Sequence, residues 1–156
     1  MSLAANLAAQ LKPWTGWDGL HQPWVGSNMA GNYTLTVYCG ETLTRSMTWR
    51  LAGVPVDLTG YSAAITARSV GFPGGDILFT WASPSQISLS SLGVIAITVS
   101  AYDTASLWGA GHHRYVGLSA GRGSYHIGDY ELNLSSPSSI VYRLLQGDLI
   151  VVPSLV

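Results

Sequence analysis

Charged side chains are scarce in this chain. Asp, Glu, Lys and Arg together make up 10% of its 156 residues, whereas a typical soluble domain has about 25%. A free monomer with so few surface charges is expected to dissolve poorly. Burial of much of the surface in an assembly or in a membrane would remove that problem. A stable monomer rich in Ser, Thr and Gly is the remaining explanation.

Long apolar runs are also missing. No stretch of about 18 apolar residues occurs, so the sequence contains no candidate for a membrane-spanning helix. The first residues, MSLAANLAAQL, lack a basic segment and are too polar for a secretory signal. We therefore favour an assembly, in which other proteins or copies of this chain cover part of its surface.

Neither a basic excess nor a second cysteine is present. The formal net charge is −1, so the chain has no basic surface of the kind that binds nucleic acid. Its single cysteine, Cys39, excludes an internal disulfide and a cysteine-based zinc site. Because Cys39 follows an apolar strand pattern, we expect it to be a small buried hydrophobic residue.

What the sequence does contain is a regular alternation of apolar and polar residues. Leu43, Met47, Trp49 and Leu51 alternate with Thr and Ser residues, which is typical of a half-buried strand. The same pattern predicts strands at 33–38, 63–67, 77–81, 86–89, 94–99, 129–134, 140–144 and 148–152. Because 86–89 is only a short candidate, these segments amount to roughly seven to eight strands, which predict an all-β, antiparallel β-sandwich.

One short helix interrupts the strands. Ser100 can cap a helix that runs to about Trp108, before Gly109 ends it. The strand at 94–99 is apolar on nearly both faces, so we expect it in the centre of a sheet. Residues 109–127 are rich in glycine and histidine and are predicted to form a long loop.

Residues 1–32 are predicted to form an N-terminal arm in front of a β-sandwich domain at 33–156. The start of the arm favours a short helix that Pro13 ends, and a glycine- and proline-rich segment follows. That segment contains Trp14, Trp17 and Trp24, a residue type that disordered linkers avoid. We expect these rings to dock, either on the chain's own domain or on a neighbouring subunit, where tryptophans often anchor interfaces.

Five segments of the chain, taken together and in order, resemble a known protein module, although none does so alone. They are GETLTRSMTWRLAGVPVDLTGY at 40–61, ITARS at 65–69, GVIAITVSAYDTASLW at 93–108, GDYELNLSS at 128–136 and VYRLLQGDLIVVP at 141–153. In this order they resemble the immunoglobulin-like module of tailed-phage structural proteins. The most similar members are the N-terminal domain of the baseplate upper protein and those of related tail-fibre proteins.

That resemblance implies an immunoglobulin-like β-sandwich with a structural role and no catalytic residues or cofactor. The chain would be a virion protein that contacts other virion proteins and copies of itself. Its place would be the tail, as a baseplate, collar or fibre-attachment component, with a capsid decoration protein of the head as the alternative. The arm at 1–32 and the segment at 109–127 depart from the family pattern. With no fibre sequence behind the module, we expect a small accessory part.

The arm and the 109–127 segment supply the candidate contact residues. They are aromatic or cationic side chains, of types enriched at protein interfaces. Arginines in such a segment either bind an acidic partner surface or remain solvated. The residues that we expect to contact a partner are Trp14, Trp17, Trp24, His112, His113, Arg114, Tyr115, Arg122 and Tyr125.

Patterns typical of catalysis or metal binding are weak. Asp129 and Glu131 lie two apart and so share one strand face, either as an acid–base pair or as solvated side chains. His112, His113 and His126 form the only metal-like group in the sequence. Neighbours on a strand point to opposite faces, so one ion would need an irregular loop or three copies around a trimer axis. We expect no enzyme activity, cofactor or metal.

A carbohydrate-binding module is a rival from another functional class. Many sugar-binding β-sandwiches use exposed aromatic rings as platforms. Trp81, Trp108, Tyr115 and Tyr125 are the candidates here. The competing interpretation places Trp81 in the core and packs Trp108 beneath the short helix.

Overall fold

The computed structural model describes residues 15–16, 31–69, 75–110 and 113–154 of the chain. Strands account for 61% and helices for 8% of the described residues, so the predicted all-β class is confirmed. Outside the described residues lie the helix predicted at 2–11 and the candidate contact residues Trp14, Trp17, Trp24 and His112.

Thirteen strands and one helical segment make up the described part of the chain. In chain order the strands are β1 (Thr15–Gly16), β2 (Gly31–Asn32), β3 (Leu35–Tyr38), β4 (Leu43–Thr48), β5 (Arg50–Leu51), β6 (Val54–Pro55), β7 (Ser62–Ser69), β8 (Ile77–Ala82), β9 (Ile87–Leu89), β10 (Val94–Val99), β11 (Arg114–Ser119), β12 (Arg122–Ser135) and β13 (Val141–Val152). Between β10 and β11, helix α1 (Ala101–Ala105) continues into a 3-10 helix (Ser106–Gly109).

Two sheets form the domain. The first has the order β1-β4-β10-β9, with antiparallel neighbours throughout. The second has the order β2-β13-β12-β7-β8, and in addition β3 pairs with β13 and β11 pairs with β12. A small third pair joins β5 and β6. Because β10 lies between β4 and β9, the predicted central position of the strand at 94–99 is confirmed.

A single hydrophobic cluster includes side chains from both sheets. Met47 and Ile95 come from the first sheet, Ile65 and Leu132 come from the second, and each is at most 2% exposed. Alternate strand residues point toward this core, as the period-two pattern predicts. The two sheets therefore pack as the layers of a sandwich. Cys39 is buried at their end, as expected.

The antiparallel prediction is wrong at one edge of the second sheet. β2 and β3 both pair with β13 in parallel, with Leu35 opposite Leu149 and Val37 opposite Val151. The physical reason is that alternation specifies which residues face the core. It does not specify whether the neighbouring strand runs parallel or antiparallel. β1 and β2 belong to the predicted arm, so at these two points the arm pairs with its own domain.

The strands predicted at 140–144 and 148–152 are one continuous strand, β13. Gly147, which falls between the two predicted strands, lies inside β13 opposite Tyr130 of β12. A Cβ atom at Gly147 would clash with the carbonyl oxygen of Tyr33. Glycine at this position therefore serves the close approach of another backbone segment and does not form a turn.

A bulge in β8 changes the predicted face of one residue. The alternation at 77–81 predicts Ile77 and Trp81 on the same core-facing side. Ala67 of β7 pairs with Phe79 and Arg68 pairs with Ile77, so Leu78 is an extra residue of β8 without a partner in β7. Trp81 is consequently buried at 4% exposure, whereas Ile77 is 56% exposed.

The predicted helix cap is confirmed. The side chain of Ser100 accepts a hydrogen bond from the backbone nitrogen of Asp103 at 3.1 Å. Thr104 is fully buried, and its hydroxyl donates to the carbonyl oxygen of Glu41 at 2.7 Å and accepts from the Gly40 nitrogen at 3.1 Å. The helix thus ties the turn between β3 and β4 to the end of β10. No helix in the described part of the chain is long and apolar enough to cross a membrane.

Candidate functional site

Residues 114–126 form a β-hairpin at one end of the second sheet. β11 pairs with the first part of β12, so the loop predicted at 109–127 is wrong for most of its length. The turn consists of Ala120 and Gly121, whose φ angles are 50° and 78°. Positive φ at both positions is the geometry of the tight two-residue turn that matches strand twist.

Four aromatic rings meet where the helical segment reaches this hairpin, and we call them the aromatic cluster. The ring of Trp108 lies 4.3 Å from that of His113 and 5.1 Å from that of Tyr125, and the rings of Tyr115 and Tyr125 are 5.7 Å apart. Trp108 is 38% exposed and Tyr115 is 58% exposed. The interpretation that Trp108 packs beneath the helix is wrong, because its ring packs on the hairpin. The cluster brings together three of the predicted contact residues, His113, Tyr115 and Tyr125.

β11 also exposes aliphatic side chains. Val116 is 44% exposed and Leu118 is 73% exposed, and the register shift between Tyr115 and Gly117 places Val116 in a bulge. The sequence analysis missed both residues because it treated this segment as a loop, although Val116 and Leu118 are apolar. We call the aromatic cluster together with Val116 and Leu118 the hairpin surface.

Arg122 is held against the body of the domain. Its Nη2 atom lies 3.2 Å from Oε1 of Glu41, and its guanidinium stacks over the ring of Tyr38 at 4.8 Å. The Tyr38 hydroxyl lies 2.7 Å from the hydroxyl of Ser119 in β11. The Arg122 side chain is only 17% exposed, so its visible role is to fasten the hairpin turn to the β3–β4 turn.

Arg114 takes part in a second fastening, which we call the histidine clasp. Its Nη2 atom lies 3.1 Å from Nδ1 of His126. Nε2 of His126 lies 3.3 Å from a carboxylate oxygen of Asp129 and 3.6 Å from one of Asp148. A register shift between His126 and Gly128 puts His126 and Asp129 on the same side of β12. His126 is buried while both aspartates are exposed.

The clasp brings together three groups that bind metal ions in other settings. The ligand atoms of His126, Asp129 and Asp148 lie within 4.8 Å of one another. Arginine donates hydrogen bonds and accepts none, so the contact with Arg114 leaves the lone pair on Nδ1 and the proton on Nε2. A metal at Nε2 would require that lone pair to face the aspartates, so this arrangement favours hydrogen bonding over metal ligation. The metal-like histidine group from the sequence is split, because His113 lies in the aromatic cluster.

A groove of about 550 Å³ runs along the outer face of β13, β12 and β7. Asp129 and Glu131 both line it, so the prediction that they share a strand face is confirmed. Their partners differ: Asp129 contacts His126, while Oε2 of Glu131 lies 2.8 Å from Nε of Arg143. This arrangement is typical of a solvated strand face and not of a coupled acid–base pair.

The shifted pKa values lie away from the hairpin surface. Burial raises the pKa of the Cys39 thiol. Burial and the neighbouring Tyr33 raise the pKa of Tyr130, whose hydroxyl donates to the Tyr33 carbonyl oxygen at 2.6 Å. The pKa of Asp57 is lowered because its carboxylate accepts bonds from the hydroxyl and backbone nitrogen of Thr59. Each of these groups has a structural partner or lies in the core.

Comparison with known proteins adds no relative. No protein-family model matches the chain, and no curated protein matches it at the significance required.

Proposed function

We propose that this chain is a non-catalytic structural protein of a tailed-phage particle that binds other virion proteins through its hairpin surface. The observation that carries the proposal is the exposure of apolar side chains on one hairpin, with Tyr115 at 58% and Leu118 at 73%. Grouped apolar exposure of this kind marks interaction sites. In a chain with 10% charged residues, it favours a surface that a partner covers.

The strand order supports the immunoglobulin-like part of the proposal. Variable-type immunoglobulin sandwiches have one sheet in the order A-B-E-D and a second that contains G, F, C and C′. The orders β1-β4-β10-β9 and β13-β12-β7-β8 follow that scheme when these eight strands are lettered in chain order. The strands β2, β3, β5, β6 and β11 are additions to it. The tryptophan and disulfide of antibody domains are not required by such architectures.

The motifs that resemble the phage module have structural roles in the fold. In the segment at 55–61, Asp57 closes a turn through Thr59, and Leu58 is 1% exposed in the core. In the segment at 93–108, Ser100 caps α1 and Thr104 fixes the β3–β4 turn. A family whose shared residues shape the fold, and not a reaction centre, is consistent with a scaffold.

The test is the composition of purified particles. Particles from lysates of a host that encodes the chain are purified on a density gradient and their proteins are quantified by mass spectrometry. We expect the chain at a fixed number of copies: a few to a few dozen for a baseplate, collar or fibre-attachment position, and on the order of hundreds for capsid decoration. Absence of the chain from particles that contain the other structural proteins would contradict the proposal.

A saccharide-binding module is the second candidate, and the exposed rings of Trp108 and Tyr115 favour it. Trp81 does not contribute, since it is 4% exposed and stacks on Phe79. A glycan array with the isolated protein decides between the two. Saccharide binding that Trp108→Ala abolishes, together with absence from particles, would replace the scaffold proposal.

A further inference from the structure

The histidine clasp connects three neighbouring strands through one buried ring. Arg114 of β11 stands directly opposite His126 in the β11–β12 ladder, and Asp148 of β13 stands opposite Asp129. His126 is 5% exposed. Because arginine is a donor only, neutral His126 accepts from Arg114 at Nδ1 and donates from Nε2 toward the two carboxylates.

We propose that the histidine clasp is a pH-dependent switch that releases Arg114 when His126 gains a proton. Histidine is the side chain that ordinarily changes charge between about pH 5 and 8. A proton added from solvent binds the free lone pair on Nδ1. That nitrogen is then a donor, so the hydrogen bond from Arg114 is lost and the two cationic groups repel one another.

The surroundings make the protonated ring tolerable in spite of its burial. Asp129 and Asp148 face each other across β12 and β13, and like charges in such a pair destabilise a sheet. An imidazolium with Nε2 at 3.3 and 3.6 Å from these carboxylates relieves that repulsion. Arg68 of β7, beside Asp129 in the ladder, donates to the carbonyl oxygen of Gly75. Within the clasp itself, protonation of His126 thus changes the charged groups from one cation (Arg114) and two anions to two of each.

Release of Arg114 changes the hairpin surface. Arg114 precedes Tyr115 in β11 and is already exposed, so its guanidinium would lose its contact with the histidine and stay in solvent. Acidification therefore frees an exposed cation next to the hairpin surface and loosens the start of β11. The switch itself stands on the geometry of the clasp, while its effect on a partner rests on the function proposed above.

Imidazole nitrogen-15 chemical shifts test the starting state in the intact chain. At about pH 7.5, where histidine is ordinarily neutral, we expect His126 to carry its proton on Nε2, and His113→Gln and His126→Gln variants assign the signal. A ring protonated at Nδ1 at this pH would overturn the proposal. So would a Zn²⁺ titration that saturates at the Nε2 signal, because it would show a metal site in place of the clasp.

Hydrogen exchange tests the release. After correction for intrinsic rates, we expect β11 amides to exchange about fivefold faster at about pH 5 than at about pH 7.5, the factor expected from one lost hydrogen bond. Aspartates ordinarily remain ionised at that pH. His126→Gln should abolish the difference, whereas His113→Gln should retain it. Equal β11 protection at both pH values, or a response that depends on His113, would refute the switch.

Measuring how incorporation of the chain into particles depends on pH separates the switch from its proposed regulatory role. If β11 responds to pH but particle incorporation of the chain does not, the clasp stands and its regulatory role is rejected. If the chain is absent from particles while the exchange result holds, the proposed function fails and the switch remains.

Discussion

Leu118 is the residue on which the contact proposal can be tested most directly. It is 73% exposed on β11, so its replacement should not disturb the core. Leu92, in the turn before β10, is 69% exposed and lies outside the hairpin surface. The two leucines form a matched pair, because they have the same side chain and similar exposure but lie on different surfaces.

We expect Leu118→Ser to reduce incorporation into particles at least about tenfold, as loss of an apolar interface anchor would. Leu92→Ser should incorporate like the parent chain. Thermal unfolding of both variants should stay within about 0.5 kcal/mol of the parent in free energy. Equal incorporation of the two variants would contradict an anchoring role of Leu118 in the hairpin surface.

Tyr130 is a buried residue whose single polar atom has a defined partner. Its hydroxyl donates to the Tyr33 carbonyl oxygen at 2.6 Å. Tyr130→Phe should therefore lower the free energy of unfolding by about 1–2 kcal/mol, since a buried hydrogen bond is lost. Urea unfolding measures this, with Tyr102→Phe as the control because Tyr102 is 86% exposed. A stability loss no larger than that of the control would argue that the Tyr130 bond contributes nothing.

Single residues were predictable where local chemistry decides their role. Cys39 is buried and Ser100 caps α1, as predicted, because each outcome depends on a few neighbouring atoms. Trp108 was not predictable in the same way. Its ring contacts His113 and Tyr125, and Tyr125 is brought to it by the β11–β12 pairing, which no local pattern around Trp108 indicates.

Among the longer elements, strand β11 and the first part of β12, which form the hairpin, were not predicted from sequence patterns. The turn residues of the hairpin are Ala120 and Gly121, whereas turns with positive φ at both positions usually carry Asn-Gly or Asp-Gly. Glycines within both strands weakened the alternation further. By contrast, β4, β7 and β10 contain no glycine, and all three were predicted.

Gly121 tests how far the hairpin depends on its turn. Its φ is 78°, a conformation that costs a residue with a Cβ about 1–2 kcal/mol. Gly121→Ala should lower the free energy of unfolding of the hairpin by that amount, measured by hydrogen exchange at β11 amides. Gly109→Ala is the control, because a Cβ there meets no atom within 4 Å and its φ is not positive. Similar exchange in the two variants would contradict the turn assignment.

At the scale of the whole molecule, the layering was predictable and the strand directions were not. Alternation identified the residues that face the core, such as Ile65 and Ile95, and this fixes two packed sheets. The parallel pairing of β3 with β13 depends on where a distant segment returns to the sheet. No local sequence pattern indicates which distant strand will pair with β3.

Stability of the domain should fall in alkaline solution. Burial raises the pKa of Cys39 above its ordinary 9.0 and that of Tyr130 above its ordinary 10.0, so both stay neutral in the folded state. Once the pH exceeds those ordinary values, the unfolded chain ionises and is stabilised relative to the fold. The free energy of unfolding is therefore not reduced by these two groups below about pH 9, and it declines above that pH.

Urea midpoints between about pH 7 and 10.5 measure this decline. The double variant Cys39→Ala with Tyr130→Phe should decline less steeply than the parent, while Tyr102→Phe should leave the slope unchanged. A midpoint that is constant or rises across this range would contradict the assignment of Cys39 and Tyr130 as buried neutral groups.

The central place of β13 has a consequence for how the protein is made. β13 pairs with β12 on one side and with β2 and β3 on the other, yet it comes last in chain order among the described strands. Until residue 152 leaves the ribosome, β12 and β3 lack the neighbour that pairs with the backbone N–H and C=O groups along one edge of each. The domain therefore closes after its translation, and a nascent chain so poor in charge depends on rapid closure to avoid aggregation.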